Sequence, residues 1–340
     1  MPSTKGNHTV KSWKRALAAA AGLALVGGVA AAGPAQADPS GPPQFRQLAG
    51  VGSDTTQGVM NGLANVITDS SGNKLIGSYD ATGSATIATK STTACSAIAR
   101  PNGSGAGRTA LLNSLQANDG CLQFSRSSSL NLAAATPGLT YIPFATDAVS
   151  FAVTANSNIP KTLTLTQVQA IYHCDPNFVG TGPNYAITVI LPQAGSGTRS
   201  FWESTMNILD SDVVAGKYPC IIDHKNGQPI EEHDGRVLDD NSIAPFSISQ
   251  YIAQSENTIP DLRGKAVLGV IDGFTPQVIN QNFEVSRSVY NVVPTSQIGN
   301  APYSAVFVGP NSAICQQTAV INQYGFSTNP NCGSTSQHTP

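Results

Sequence analysis

The amino-acid sequence predicts an α/β protein of two lobes joined by a hinge. The chain has 340 residues, and the 303 that follow an N-terminal export segment exceed what one hydrophobic core usually serves. Strand-like and helix-like segments alternate along it, which is typical of α/β folds. Two extended segments, 141–153 and 283–293, are long enough to cross from one lobe to the other. These two crossover segments predict a hinge and a first lobe that is discontinuous in sequence.

Residues 1–37 have the pattern of an export signal. Four basic residues precede an apolar run over 16–32, and residues 35–37 read Ala-Gln-Ala, a signal-peptidase site. We expect cleavage after Ala37 and a secreted chain; an uncleaved hydrophobic anchor is the alternative. The cleavage site has no cysteine, so lipid attachment is not expected. The mature chain then divides into lobe 1 over 38–146, lobe 2 over 147–286, and a return to lobe 1 with a C-terminal tail over 287–340.

The charge of the mature chain argues against a nucleic-acid partner. The signal takes four of the 18 Lys and Arg and none of the 20 Asp and Glu, which leaves a formal charge of −6. Nucleic-acid-binding domains usually present a basic face. Affinity for a small anion would therefore have to come from a local site rather than from the overall field.

Six cysteines, all in the mature region, predict disulfide bonds because the chain is exported. Many pairings are open, and pairing of sequence neighbours closes loops of modest length within separate regions. The alternative, a metal site, lacks a C-x-x-C spacing or a Cys/His cluster. The neighbouring pairs are Cys95 with Cys121, Cys174 with Cys220, and Cys315 with Cys332.

A hydroxyl-rich turn follows the strand predicted at 185–191. The turn 195–198 reads Gly-Ser-Gly-Thr, and the helix that begins there directs unpaired N–H groups and its positive dipole end outward. Such a turn suits an anion, although a loop without a ligand is the simpler interpretation of one Gly-Ser string. Similar turns follow predicted strands at 52–57, 82–85 and 125–129. Because such turns converge at one sheet edge, together they predict an anion cleft, whereas helix capping explains each one singly.

Polar spacing and composition also predict local structure. Two pairs have the capping-box separation, so helices are expected to begin at both: Asp54 with Gln57, and Thr164 with Gln167. The first helix should end near Ile67, and another should begin after Ser84. The Gly-rich stretch 101–107 is expected to be a mobile loop, and the tail from 327 to 340 a mobile terminus.

Taken in order, several segments resemble the type II extracellular solute-binding proteins, and among them the phosphate-binding protein of the high-affinity phosphate ABC transporter. The resemblance covers most of the mature chain and rests on the order of its motifs, which lie at 50–55, 83–84, 124–128, 163–172, 195–198 and 286–290. It implies a periplasmic-binding-protein type II fold whose lobes close over one oxyanion, with phosphate as the first candidate. Hydroxyls and helix N-termini would hold this ligand. ABC-type uptake with a permease is the role this suggests. We expect a monomer without a cofactor or a metal.

The resemblance implies a ligand set position by position. Four residues match family ligand positions unchanged: Ser84, Ser196, Gly197 and Thr198. Asp54 and Thr55 stand where the family has a threonine and an aromatic residue. Ser128 replaces an aspartate that accepts the proton of the bound phosphate. Pro192 and Ala194 stand where the family has an arginine and an aspartate.

Two arginines are placed to compensate for these departures. Arg126 and Arg199 lie in the same two turns as the missing residues, and guanidinium groups form charge-assisted bonds to oxyanions. A surface ion pair explains each of them equally well. A carboxylate beside a bound anion is tolerable only with a proton between them, so Asp54 is the candidate proton acceptor.

A secreted hydrolase of esters or phosphate esters is the main alternative function. The chain has no G-x-S-x-G around Ser196 or Ser53, no H-E-x-x-H, and no Walker A or dinucleotide motif. His233 beside Asp234 is a candidate for an oriented general base, although adjacent residues seldom form one. A non-transport surface or scavenging role on the same fold is a further alternative, because the secreted chain has no lipid tether. We therefore expect a binding protein rather than an enzyme.

Overall fold

Helices and strands alternate over the residues that the computed structural model describes, which are 38–339 without 40, 43, 134–136, 183 and 276–284. The predicted export signal lies outside them. The helices are α1 (Gln57–Val66), α2 (Ser104–Ala117), α3 (Leu165–Tyr172), α4 (Pro176–Val179), α5 (Gly197–Met206), α6 (Asp210–Val214), α7 (Ile248–Ser255), α8 (Tyr303–Phe307) and α9 (Thr318–Gln323). The strands are β1 (Leu48–Gly52), β2 (Ile76–Ser78), β3 (Thr86–Ile87), β4 (Ile98–Ala99), β5 (Phe124–Ser127), β6 (Leu139–Thr154), β7 (Thr162–Leu163), β8 (Thr188–Ile190), β9 (Ile221–Ile222), β10 (His224–Lys225), β11 (Gln228–Pro229), β12 (Ser242–Ser247), β13 (Ala266–Leu268), β14 (Val270–Ile271), β15 (Ser286–Pro294), β16 (Ser327–Thr328) and β17 (Gln337–His338). None of the described helices is long and apolar enough to span a bilayer.

One large sheet runs in the order β2-β1-β5-β15-β6-β12-β8-β9. Its outer parts are parallel, since β1 pairs with β2 and β5, and β8 pairs with β12 and β9. Its centre is antiparallel: β15 runs along β6 from the pair Ser286 and Ala148 to the pair Pro294 and Leu139. The two parallel parts are thus joined through two long strands, which are the predicted crossover segments. Residues 283 and 284 of the second segment lie outside the described residues.

Two separate apolar cores lie along these long strands. One gathers residues between Ala148 and Val285 around Trp202. The other combines residues from β1, α1 and β5 with the C-terminal helices. Strand β6 contributes to both cores, whereas Val285, directly before β15, belongs to the first core and Val289 and Val293 of β15 belong to the second. Core membership thus changes close to the predicted lobe boundaries at 146/147 and 286/287, which themselves stay predictions.

Several local expectations are confirmed. Helix α3 begins with the expected capping box, in which Thr164 and Gln167 exchange bonds of 3.2 and 2.8 Å. Helix α5 begins at the Gly-Ser-Gly-Thr turn, where the Ser196 hydroxyl accepts from the Arg199 N–H at 2.9 Å. The structure contains the three neighbouring disulfides, Cys95–Cys121, Cys174–Cys220 and Cys315–Cys332.

Other local expectations were wrong, because contacts outside the local segment determine the structure there. Helix α1 has no capping box: the Asp54 carboxylate bonds to His233, and the Gln57 side chain accepts from the Ala81 N–H. The segment after Ser84 forms the short strand β3 rather than a helix. The C-terminal tail pairs with β6 through β16 and β17.

The glycines of 101–107 serve close packing rather than mobility. Helix α2 begins within this stretch, at Ser104. A side chain at Gly107 would overlap the backbone of Gly52, and the Gly105 N–H donates to the Gly195 carbonyl at 3.0 Å. The start of α2 therefore lies directly against the Gly-Ser-Gly-Thr turn of the second lobe.

Candidate functional site

Five buried hydroxyl groups meet between the lobes, where β5 ends and α1, α2 and α5 begin. This hydroxyl cluster consists of Ser53, Thr55, Ser104, Ser128 and Thr198. The Thr55 oxygen lies 3.2 Å from both the Ser128 and the Thr198 oxygens, and Ser128 also contacts Ser53 at 3.2 Å and Ser104 at 3.4 Å. Since helix N-termini carry partial positive charge, the arrangement stabilises negative charge.

Glycine at position 197 permits this close approach. A Cβ there would overlap the hydroxyls of both Ser104 and Ser128. Gly197 is also the first residue of α5, so the helix start itself lies against the cluster. A substitution at this position therefore acts on the contact between the lobes as well as on the helix.

A carboxylate already lies in the hydroxyl cluster. Glu232 Oε2 accepts from the Thr55 hydroxyl at 2.8 Å and from the Thr198 hydroxyl at 3.0 Å. The residue is only 4% exposed, and Oε1 has no hydrogen-bond partner among the described residues. The cluster thus already binds one carboxylate of the protein itself.

A buried arginine lies beside the cluster. Arg287, on β15, directs Nε and Nη2 to Asp147 Oδ2 at 3.1 and 2.9 Å, and Nη2 also donates to the Thr198 hydroxyl at 3.0 Å. Its guanidinium lies 5.2 Å from the centre of the Phe201 ring, an arrangement that stabilises a desolvated cation. Nη1 finds no acceptor within the described part of the chain. The site therefore has a positive group with a donor to spare.

Residues 37–295 match the PBP superfamily domain. This chain belongs to the PBP superfamily. No curated protein matches the chain. Among solved structures, a Clostridium perfringens protein with bound phosphate, assigned as a phosphate ABC transporter substrate-binding protein, is similar at 16% identity and a TM-score of 0.52, over 83% of this chain and 99% of that one. An ABC-type phosphate transport receptor of Vibrio cholerae is similar at 15% identity and a TM-score of 0.48, over 83% and 100%.

The two-lobed periplasmic-binding-protein fold expected from the sequence is confirmed by the family match and by the C. perfringens structure. In this PBP-superfamily chain the two lobes are in contact, and several polar contacts between them lie at or next to the hydroxyl cluster. Besides Thr55 with Thr198, they include Asn102 with Glu231 and Gln193, at 2.9 to 3.1 Å. The contact between the lobes and the candidate ligand site thus occupy the same region.

The structure brings part of the predicted ligand set together. Thr55, Ser128 and Thr198 belong to the hydroxyl cluster, and Gly197 lies against it. Asp54 lies one residue away, with its carboxylate on His233. Ser196 caps α5, whereas Ser84 is on the surface, where its hydroxyl bonds to Thr86 and Arg100.

The two predicted arginines bond elsewhere. Arg126 is fully buried under its own turn, and its donors reach the backbone oxygens of Ser53 and Gly52 and the Ser78 hydroxyl. Burial lowers the pKa of Arg126 to about 10. Arg199 is also buried, but its donors meet three carboxylates: Glu203 at 2.9 Å, Asp223 at 2.7 Å and Asp210 at 2.6 Å. Their assignment as ligand residues stays a prediction, and the hydroxyl cluster contacts a different arginine.

Sequence reasoning missed Glu232 and Arg287. Arg287 lies within the 286–290 motif and is a single charge in an otherwise uncharged buried stretch from Val285 to Val293, a signal that was available. Glu232 had no comparable signal, because it lies in a loop between β11 and β12 and meets Thr55 across 177 residues. His233 was considered beside Asp234, but its ring bonds instead to Asp54 at 3.0 Å.

Proposed function

We propose that this chain is a secreted solute-binding protein that binds a small oxyanion between its two lobes, with phosphate as the first candidate. The observation that carries the proposal is the carboxylate of Glu232 in the hydroxyl cluster. A carboxylate presents the same hydrogen-bond acceptors as two oxygens of an oxyanion. A cluster that binds a carboxylate of the protein therefore has the chemistry to bind an oxyanion from solution.

Three further features support an oxyanion. The starts of α1, α2 and α5 direct positive helix ends at the cluster. Arg287 adds a formal positive charge and the spare Nη1 donor. The C. perfringens protein on the same fold was solved with bound phosphate.

The position of Glu232 dictates how such a ligand enters. Two negative groups in one buried site are tolerable only when a proton lies between them or one of them leaves. We propose that the lobes open about β6 and β15, and that the ligand takes over the Thr55 and Thr198 hydroxyls from Glu232. A ligand that carries a proton, such as hydrogen phosphate, has the further option of donating it to Glu232. Glu232, rather than Asp54, is thus the proposed proton acceptor.

The second candidate function is hydrolysis, favoured by the pair of Asp54 and His233 at 3.0 Å. That pair is the arrangement that orients a general base. His233 Nε2 lies 3.8 Å from Glu232 Oε2, and no hydroxyl of the described residues bonds to it. We therefore propose binding without turnover, in ABC-type uptake or in scavenging outside the cell.

Isothermal titration of the purified protein with phosphate and with sulfate tests the proposal. Thr198→Val keeps the shape of the side chain and removes the hydroxyl, so it should weaken phosphate binding by roughly tenfold to a hundredfold, the value of one hydrogen bond to a charged group. Ser84→Ala is the matched control, because it removes a predicted ligand hydroxyl that lies on the surface. Glu232→Gln should tighten sulfate binding, because it removes the competing charge.

Two outcomes would refute the proposal. One is the absence of binding heat and of thermal stabilisation with either anion. The other is a loss of affinity in Ser84→Ala with none in Thr198→Val. Hydrolysis of an ester substrate that disappears in His233→Asn would establish the second candidate instead.

A further inference from the structure

Two buried acceptor atoms on adjacent residues beside the hydroxyl cluster have no hydrogen-bond partner among the described residues. They are Glu232 Oε1 and His233 Nε2. The two side chains belong to adjacent residues that are 4% and 5% exposed. His233 Nε2 lies 3.8 Å from Glu232 Oε2, which is too long for a hydrogen bond.

The tautomer of His233 follows from its other nitrogen. His233 Nδ1 lies 3.0 Å from Asp54 Oδ2, and an ionised carboxylate only accepts, so Nδ1 carries the proton. Nε2 then presents its lone pair toward Glu232. A lone pair and a carboxylate that face each other out of water repel unless a positive group lies between them.

The imidazole is fixed in this position by its surroundings. His233 has a left-handed backbone with φ of 60°, a conformation that costs a non-glycine residue free energy. Its carbonyl accepts from Gln254 Nε2 at 3.0 Å, and its ring packs edge-on against Phe246 at 5.4 Å. The protein therefore maintains an unfavourable backbone geometry that directs Nε2 toward Glu232.

The adjacent cavity has the charge of a cation site. It has a volume of about 610 Å³ and is lined by both residues together with further carboxylates: Asp54, Asp80, Glu231 and Asp234. Arg236 is the one Lys or Arg among its described lining residues, and it is paired with Asp234 at 2.6 Å. The cavity thus attracts cations to the two unpaired acceptors.

We infer that His233 Nε2 and the Glu232 carboxylate bind a divalent transition-metal cation of the zinc type, with Asp54 positioning the imidazole through Nδ1–H. Bonds of about 2.0–2.2 Å to a nitrogen and an oxygen bridge a separation of 3.8 Å. Imidazole with carboxylate suits zinc and disfavours magnesium and calcium, which prefer oxygen ligands. A carboxylate on the second imidazole nitrogen is the usual support of a metal-bound histidine. This site goes beyond the proposed function and does not depend on it.

Zinc titration in phosphate-free buffer, after dialysis against EDTA, tests the inference. One equivalent of Zn²⁺ should bind with micromolar affinity, and Mg²⁺ or Ca²⁺ should not compete. His233→Asn removes the imidazole but tolerates the left-handed backbone, and Glu232→Gln keeps the shape of its side chain. Each should weaken Zn²⁺ binding at least tenfold. His224→Gln is the matched control, because His224 is an exposed histidine 2.7 Å from Asp223.

Asp54 has its own measurement, because it acts through His233. Asp54→Ala should weaken Zn²⁺ binding about tenfold to a hundredfold. It should also shift the ¹⁵N resonances of the His233 ring toward the other tautomer, which a purely structural role would not do. Thermal unfolding in EDTA checks that each variant is folded. If His233→Asn does not fold, the Zn²⁺ affinity of Glu232→Gln tests the inference instead.

Three results would overturn the inference. They are the absence of Zn²⁺ uptake at 100-fold excess, affinity that survives both His233→Asn and Glu232→Gln, and ¹⁵N shifts of a doubly protonated His233 at neutral pH, which would make a proton the positive group. Phosphate binding that persists with any of these leaves the proposed function intact. Glu232→Gln distinguishes the two proposals, because it should weaken Zn²⁺ binding and tighten sulfate binding.

Discussion

Arg199 and Arg287 are both buried arginines close to the start of α5, and they differ in what their donors meet. Arg199 is surrounded by Glu203, Asp210 and Asp223, so its charge is more than balanced within lobe 2. Arg287 has one carboxylate, Asp147, a threonine of the hydroxyl cluster, and an Nη1 without a partner in the described structure. A buried positive charge therefore does not by itself indicate an anion site; we propose that its surroundings decide, and that the neighbouring hydroxyl donors favour Arg287.

The carboxylates around Arg199 also set its chemistry. Burial alone would lower the pKa of Arg199, but the hydrogen bond to Asp223 and the charges of Glu203 and Asp210 together raise it. Such a group stabilises the fold through its fixed partners. We infer that the Arg199 cluster, made of Arg199 with Glu203, Asp210 and Asp223, is structural. The Arg287 cluster, made of Arg287 with Asp147 and Thr198, is in our proposal open to a ligand.

The largest expected effect follows from removing Arg199. Arg199→Ala leaves Glu203 buried without its partner, so we expect the free energy of unfolding to fall by about 3 kcal/mol. Phosphate affinity of the folded fraction should stay within twofold. Urea denaturation followed by isothermal titration measures both. A stable variant that has lost its affinity would place the anion at Arg199 and reverse the comparison.

A smaller effect is expected from filling the space beside the hydroxyl cluster. In Gly197→Ala the new methyl group overlaps the Ser104 and Ser128 hydroxyls, so it should cost about 1–3 kcal/mol and weaken phosphate binding. Gly299→Ala is the control, because that position is open to solvent and should change stability by less than about 0.5 kcal/mol. Equal unfolding midpoints for the two variants would show that the lobes do not close on Gly197.

A third effect is a pH dependence from Glu203, which is paired with Arg199. Burial outweighs the neighbouring arginine and raises the pKa of Glu203 to about 7. Between its unfolded pKa near 4.5 and this value, the folded state keeps a proton that the unfolded state has lost. Stability should therefore fall as pH rises through that window and level off above it.

Glu203→Gln should remove most of this dependence. Urea midpoints measured from pH 4.5 to 8 for both proteins check it. The same slope in both would show that Glu203 does not titrate in this range.

The sequence predicted most reliably where a pattern is local. The Gly-Ser-Gly-Thr turn after a strand identified Thr198, and the extended segments identified β6 and β15, because each signal lies within a few consecutive residues. The spacing of Asp54 and Gln57 wrongly predicted a capping box, because the Asp54 carboxylate bonds to His233, 179 residues away. The glycines of 101–107 predicted a mobile loop, because the sequence does not show that Gly107 packs against the backbone of Gly52.

The charges of the site were harder to predict than its hydroxyls. Hydroxyls and helix starts come together wherever parallel strands end, so their place follows from the fold. Which arginine has a donor left for a ligand depends on how many carboxylates pair with it in the folded chain. Arg199 has Glu203 one helical turn away, a pairing visible in sequence, whereas Arg287 meets Asp147 across 140 residues.

The most direct test of this account is phosphate titration of Arg287→Lys beside Arg199→Lys. Lysine keeps the charge but cannot pair with Asp147 and also supply the spare donor of Arg287. We expect Arg287→Lys to weaken phosphate binding at least tenfold, about 1.4 kcal/mol, and Arg199→Lys to leave it within twofold. Loss of affinity in Arg199→Lys with none in Arg287→Lys would contradict the assignment of the anion to the Arg287 cluster.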